Sequence, residues 1–82
     1  MAFVYILQGT SGRYYIGSSQ DVLGRLKRHN SGMVYSTKRL GLPLALVVSK
    51  EFETISKARE IEAKLKHWKN PKKAIAYLEK LE

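Results

Sequence analysis

From Phe3 to Gln8 aromatic and β-branched residues follow one another with the two-residue period of a strand, so Phe3, Tyr5 and Leu7 share one face and Val4 and Ile6 the other. Gly9-Thr10-Ser11-Gly12 is dense in turn formers, and Tyr14 to Gly17 resumes the strand pattern. Two strands around a short glycine-bearing loop predict an antiparallel hairpin. Tyr15 and Gly17 share a face of the second strand, so a suitable register makes Tyr5 and Tyr15 neighbours on one side.

The period then changes. Between Asp21 and Asn30 the spacing is helical, with N-cap residues in Ser18-Ser19-Gln20-Asp21 and a stop at Asn30-Ser31-Gly32. Val22, Leu23 and Leu26 can face a core, whereas Arg25 and His29, four apart, share another face. Gly24 inside this helix is locally unfavourable by about 1 kcal/mol relative to alanine. Residues 33–43 read as a loop closed by Pro43, and the segment from Leu44 to Phe52, with its apolar run Leu44-Ala45-Leu46-Val47-Val48 followed by charges, reads as a buried, central strand. Ser56 is the expected N-cap of the next helix, whose core stripe is Ala58, Ile61, Leu65 and Trp68. Asn70-Pro71 opens a last helix, with Ala74, Ile75, Leu78 and Leu81 on one side. The predicted order is β-β-α-β-α-α, an α+β fold with a three-stranded antiparallel sheet flanked by helices, in a single domain over residues 1–82.

Composition narrows the function. The chain has no cysteine, which removes disulfides and thiolate metal sites. No apolar run approaches the roughly 18 residues of a membrane span, and no signal peptide is evident, so a cytoplasmic protein without a membrane partner is expected. Fifteen Lys and Arg against seven Asp and Glu give a net charge of +8, which points to a polyanionic partner, DNA first, with RNA satisfying the same charge. Arg13, Arg28, Thr37, Lys38 and Lys66 are the candidate nucleic-acid contacts. A homodimer or a partner protein is compatible with so small a domain, though no residue pattern specifies either.

Two histidines and no cysteine cannot supply zinc-hydrolase spacings, and no P-loop or nucleophile elbow is present. So few carboxylates make a two-metal cage hard to build, so a phosphodiester-cutting site here would use at most one metal and lean on arginine and tyrosine. Arg25 offers a charged, planar fork suited to a phosphorane-like transition state; the plainer reading is a phosphate contact or a solvated helix arginine. His29, one turn later, can assist a base, although a histidine near a helix end also complements the helix dipole. Glu62 flanks the core stripe and is the best single metal candidate, since magnesium accepts few carboxylates and keeps waters; Glu60 lies farther from the apolar flank. Strand tyrosines are mostly packing residues, and a phenol needs a neighbouring base or cation to act.

Taken in order, Val4-Tyr5-Ile6, Tyr15-Ile16-Gly17, Arg25, His29 and the run Ala58 to Trp68 resemble the GIY-YIG endonucleases, and most of all the small stand-alone bacterial members related to the UvrC nuclease domain. The match covers nearly the whole chain. It implies the family's three-stranded sheet flanked by helices and metal-dependent cleavage of DNA, with repair or recombination substrates such as branched or damaged DNA. It also implies Tyr5, Tyr15, Arg25, His29 and Glu62 as catalytic residues, with Glu62, matched through Leu65-Lys66-His67-Trp68, holding one divalent cation, Mg²⁺ or alternatively Mn²⁺. Phe3 stands where the first motif has glycine. The family's later asparagine is matched only loosely by Asn70, which its place before Pro71 already explains as a helix cap. The alternative is a catalytically inactive, basic nucleic-acid-binding module of the same fold, and a basic structural protein such as a ribosome-associated one would need the charge but not the tyrosine–arginine–glutamate set.

Overall fold

The hairpin sets the frame. In the computed structural model, which describes residues 1–81 apart from the side chain of Ser36, β1 (Ala2–Gln8) pairs antiparallel with β2 (Tyr14–Ser19). The register places Tyr5 opposite Gly17 and Leu7 opposite Tyr15, so both tyrosines stand on one face of the sheet. β3 (Ala45–Phe52) pairs antiparallel with the other edge of β1, giving the order β2-β1-β3. Helix α1 (Val22–Asn30) and a short helix α2 (Tyr35–Lys38) precede β3, and α3 (Ile55–Trp68) and α4 (Pro71–Lys80) follow it. The α+β fold and its three antiparallel strands are those the sequence predicts. No helix among the described residues is long and apolar enough to cross a membrane.

β1 is buried on both faces, and the alternation of its residues divides the core in two. Val4 and Ile6 pack with Ala58, Ile61 and Leu65 of α3 and Ala74 and Leu78 of α4. Tyr5 and Leu7 face the opposite way, toward Leu44, Tyr15, Val22, Leu26, Leu40 and Leu42. Ile6, Leu7 and Leu65 are fully buried, which stabilises the fold by about 1.5–3 kcal/mol each relative to exposure.

Four expectations are corrected. The apolar run from Leu44 to Phe52 is an edge strand, not a central one: β1 holds the centre because β2 takes one of its edges through the hairpin and β3 returns to the other. Ala45, Leu46 and Val47 are accordingly exposed, since a β-branched run specifies strand but not position. Leu23 does not join the core; it is 73% exposed, because α1 presents only a narrow stripe, Val22 and Leu26, to the sheet. Residues 33–43 are not all loop, for they contain α2. Finally, α3 starts before Ser56. Thr54, with extended backbone, caps it by accepting from the Lys57 N–H at 3.1 Å, and Ile55 at the first position packs on the core.

Asn70 caps α4 as the sequence predicts, accepting from the Lys73 N–H at 3.1 Å with Pro71 at the first turn. Gly24 has a reason too: a Cβ there would come within 2.2 Å of the Asp21 carboxylate, which caps α1 by accepting from the Gly24 N–H at 2.9 Å. The corrected cap is checked by urea denaturation. Thr54→Ala is expected to cost about 1 kcal/mol, while Ser56→Ala stays within about 0.5 kcal/mol of the parent.

Candidate active site

Tyr5 lies on the central strand with its hydroxyl directed at the position opposite, where Gly17 leaves room for it. A Cβ on Gly17 would sit 2.6 Å from the Tyr5 hydroxyl. The glycine of the Tyr15-Ile16-Gly17 segment is therefore required by close approach rather than by a turn. The rings of Tyr5 and Tyr15 lie 6.5 Å apart, and His29 closes a triangle with them, its ring 5.1 Å from Tyr15 and 6.4 Å from Tyr5.

His29 is only 3% exposed, and both its nitrogens have partners. Nδ1 stands 2.8 Å from the Thr37 hydroxyl and Nε2 stands 3.4 Å from the Tyr5 hydroxyl. The Thr37 hydroxyl donates to the Val34 carbonyl at 3.3 Å, so it is free to accept from the histidine. With the Thr37 hydroxyl so assigned, His29 carries its proton on Nδ1 and Nε2 faces the Tyr5 O–H as an acceptor. Burial lowers the His29 pKa below its usual 6.5, with the Arg25 and Arg28 charges acting the same way, so the ring is neutral at pH 7. Tyr5 is pushed up to about 12, chiefly by burial, then by Tyr15; Glu62 adds to the rise and Arg25 opposes it. At neutral pH both groups are therefore uncharged, the Tyr5 hydroxyl facing a neutral imidazole.

Arg25 is exposed, as its place on the outer side of α1 requires, and among the described residues it has no ion pair. Its charge acts on both Tyr5 and His29, lowering the pKa of each.

Glu62 comes from the other layer. α3 packs on the sheet face opposite Tyr5, and the Glu62 charge is nonetheless close enough to act on Tyr5. Ser18, opposite Val4 in the register and so on the α3 side, donates its hydroxyl to Glu62 Oε1. Lys66, four residues on, sets its ammonium 2.7 Å from Oε2 and 5.5 Å from the centre of the Tyr15 ring. The pair is half in solvent, so it is worth no more than a few tenths of a kcal/mol to about 1 kcal/mol. Among the described residues no three His, Asp or Glu side chains gather in one place. A lone carboxylate beside a hydroxyl suits an oxygen-preferring cation that keeps several waters, with Lys66 displaced from Oε2.

The structure thus brings Tyr5, Tyr15 and His29 into one cluster, with Arg25 and Glu62 near enough for their charges to act on Tyr5. Of the candidate nucleic-acid contacts, Arg13, Arg28 and Lys38 are exposed and Lys66 lies at the site itself. Thr37 is a correction: it is fully buried and holds His29, so it is not on a surface that nucleic acid could touch. Sequence reasoning missed this second role of Thr37 and the part played by Ser18. Neither contact has a sequence signal, because each joins residues on different elements. The Glu62–Lys66 pair was legible as an acid four residues before a base on a helix.

Comparison with known proteins gives the family. Residues 1–74 match the family described as the GIY-YIG catalytic domain. A "UPF0213 protein" of Streptococcus pneumoniae serotype 4 is 39% identical over 72 residues, covering 88% of this chain and 73% of the relative. A "UPF0213 protein" of Staphylococcus aureus strain Mu3 is 34% identical over 71 residues, covering 87% of each. No solved structure matches the chain. With the family match spanning both strands of the hairpin, Arg25, His29 and the Glu62 helix, the chain belongs to the GIY-YIG family, whose catalytic domain is a nuclease that acts on nucleic acid.

Proposed function

We propose that this protein is a divalent-cation-dependent endonuclease that hydrolyses DNA phosphodiester bonds in the cytoplasm, on branched or damaged DNA of the kind met in repair and recombination. The observation that carries the proposal is the buried chain of contacts from Tyr5 to His29 to Thr37, with the charges of an exposed arginine and a carboxylate acting on Tyr5.

The attacking water gives a proton to the Tyr5 hydroxyl as Tyr5 gives its own proton to His29 Nε2. The water oxygen bonds to phosphorus, and the P–O ester bond opposite it breaks, the leaving oxygen taking a proton from solvent. The Arg25 guanidinium binds the phosphoryl oxygens, where negative charge grows. Thr37 keeps the Nδ1–H of His29 engaged, so the ring receives the proton at Nε2 alone. Tyr15 packs its ring against His29 and borders the phosphate. A divalent cation, magnesium or manganese, would be held through Glu62 and would supply further charge neutralisation.

One observation favours a second reading. Lys66 occupies the Glu62 oxygen that a cation would need, as in a nucleic-acid-binding module without catalysis. The two readings are separated by a labelled panel of single-stranded, duplex, flapped and four-way-branched DNA, with Mg²⁺, Mn²⁺ or EDTA, beside Glu62→Gln. The expected result is cation-dependent product that falls by at least about a hundredfold in the variant. Binding to every DNA without cutting in either cation would instead establish the binding module.

A further inference from the structure

A second basic group lies beside the site and has no partner among the described residues. Where β2 ends, a cleft of about 380 Å³ opens between α1 and α3, lined by Ser18, Ser19, Gln20, Asp21, Arg25 and Arg59 among others. Arg25 enters from α1 and Arg59 from α3, so the two guanidiniums come from opposite layers of the fold. Arg59 stands three residues before Glu62, on neighbouring positions of the same helix flank. Among the described residues neither guanidinium has a hydrogen-bond or ion-pair partner within the chain, although the nearby Glu60 is paired to Lys57 at 3.5 Å and Glu62 to Lys66. The opposing charge in the cleft is Asp21, whose carboxylate is held at 2.9 Å by the Gly24 N–H as the α1 cap. Two cations against one capped anion leave the cleft net positive. The Ser19 hydroxyl is spent on the Asp21 backbone, which leaves Gln20, exposed, and the two guanidiniums as donors for a ligand.

We infer that this cleft is a phosphate subsite in which Arg59 holds the phosphodiester next to the one Arg25 binds, so that the two arginines clamp consecutive phosphates of one strand. The inference rests on the nuclease reading above and extends it to the course of the strand, which runs from the tyrosine cluster across the end of β2 toward α3. A planar fork suits this task, because it grips two oxygens of one phosphate and fixes direction as well as charge. Arg59 is a binding and positioning residue; it does not reach the reacting atoms.

The test reads binding in EDTA, free of turnover. The probe is the best-bound DNA of the panel, remade with single uncharged methylphosphonates stepped along the strand. Removal of one arginine–phosphate interaction at 0.1 M monovalent salt is expected to weaken binding by about five- to eightfold and to lower the log–log salt slope by about 0.7–0.9. Arg59→Gln should show that weakening and become indifferent to methylphosphonate at one position, at which the wild type remains sensitive. Arg25→Gln should become indifferent at the adjacent position. Arg59→Lys should regain the salt slope but only part of the affinity. The proposal is overturned if Arg59→Gln keeps wild-type affinity and slope, or if the two indifferent positions are not consecutive. A wild type that binds none of these DNAs overturns the nuclease reading with it, a different result from normal binding that ignores Arg59.

Discussion

Tyr5→Phe is expected to slow cleavage by about 10²- to 10⁴-fold while DNA binding changes little. The ring is the part of Tyr5 that packs, with Leu7 and Leu44, and phenylalanine keeps it. What disappears is the hydroxyl that joins water to His29 and fills the space left for it by Gly17. A pH profile separates this from a general weakening of the fold. His29 titrates below 6.5, so the acid limb of the wild-type rate should have its midpoint below pH 6.5, where Nε2 takes a proton and can no longer accept from Tyr5. In Tyr5→Phe that limb should flatten. Stability follows the same groups. An unfolded histidine protonates near 6.5 while the folded one resists, so the contribution of burying it neutral is intact above about pH 6.5 and is lost as pH falls toward the lower folded value. Tyr5 acts at the other end: the unfolded phenol ionises near 10 and the folded one near 12, so stability drops as pH rises between those values, in the wild type and not in Tyr5→Phe. A variant that cuts within about threefold of the wild-type rate would remove Tyr5 from the mechanism.

Arg25→Ala is expected to lower kcat by about 10²- to 10³-fold, the range seen when one preorganised donor to a developing oxyanion is deleted. Arg25→Lys should recover only part of this, because an ammonium supplies the charge without the bidentate fork. The structure adds a second signature. Arg25 holds the pKa of both Tyr5 and His29 down, so its removal should let the acid limb of any residual activity move to higher pH. Single-turnover rates across pH 5 to 8 read both effects together. An unchanged kcat, or a lower kcat with the acid limb unmoved, would mean that Arg25 does not face the Tyr5–His29 pair during the reaction.

These expectations depend on geometry that was legible in uneven measure. Alternation along residues 3–8 correctly divided Phe3, Tyr5 and Leu7 from Val4 and Ile6, and the hairpin register then made Tyr5 and Tyr15 neighbours. Local chemistry also named the Asn70 cap, because a cap depends on a few adjacent backbone groups. The α3 cap was missed by two residues. Thr54 and Ser56 are both competent, and the choice falls to Thr54 because starting at Ile55 buries an additional apolar side chain.

What the sequence by itself determined, then, was whatever rests on short-range periodicity and on residue type: strands and helices, their faces, the basic charge, and the ordered tyrosine–arginine–histidine–glutamate set. Only the tertiary structure decided the rest. It put the apolar run of β3 at an edge and left Leu23 in water, because which strand is central depends on the order of pairing. It sank Thr37 beneath His29, within 2.8 Å of Nδ1, and turned Nε2 toward the Tyr5 hydroxyl. It brought Glu62 to the Ser18 hydroxyl on the α3 face of the sheet, and it set Arg59 across a cleft from Arg25. Each of these is a meeting of residues from separate elements. No spacing along the chain encodes such a meeting, because it is fixed by how the two layers pack against the sheet.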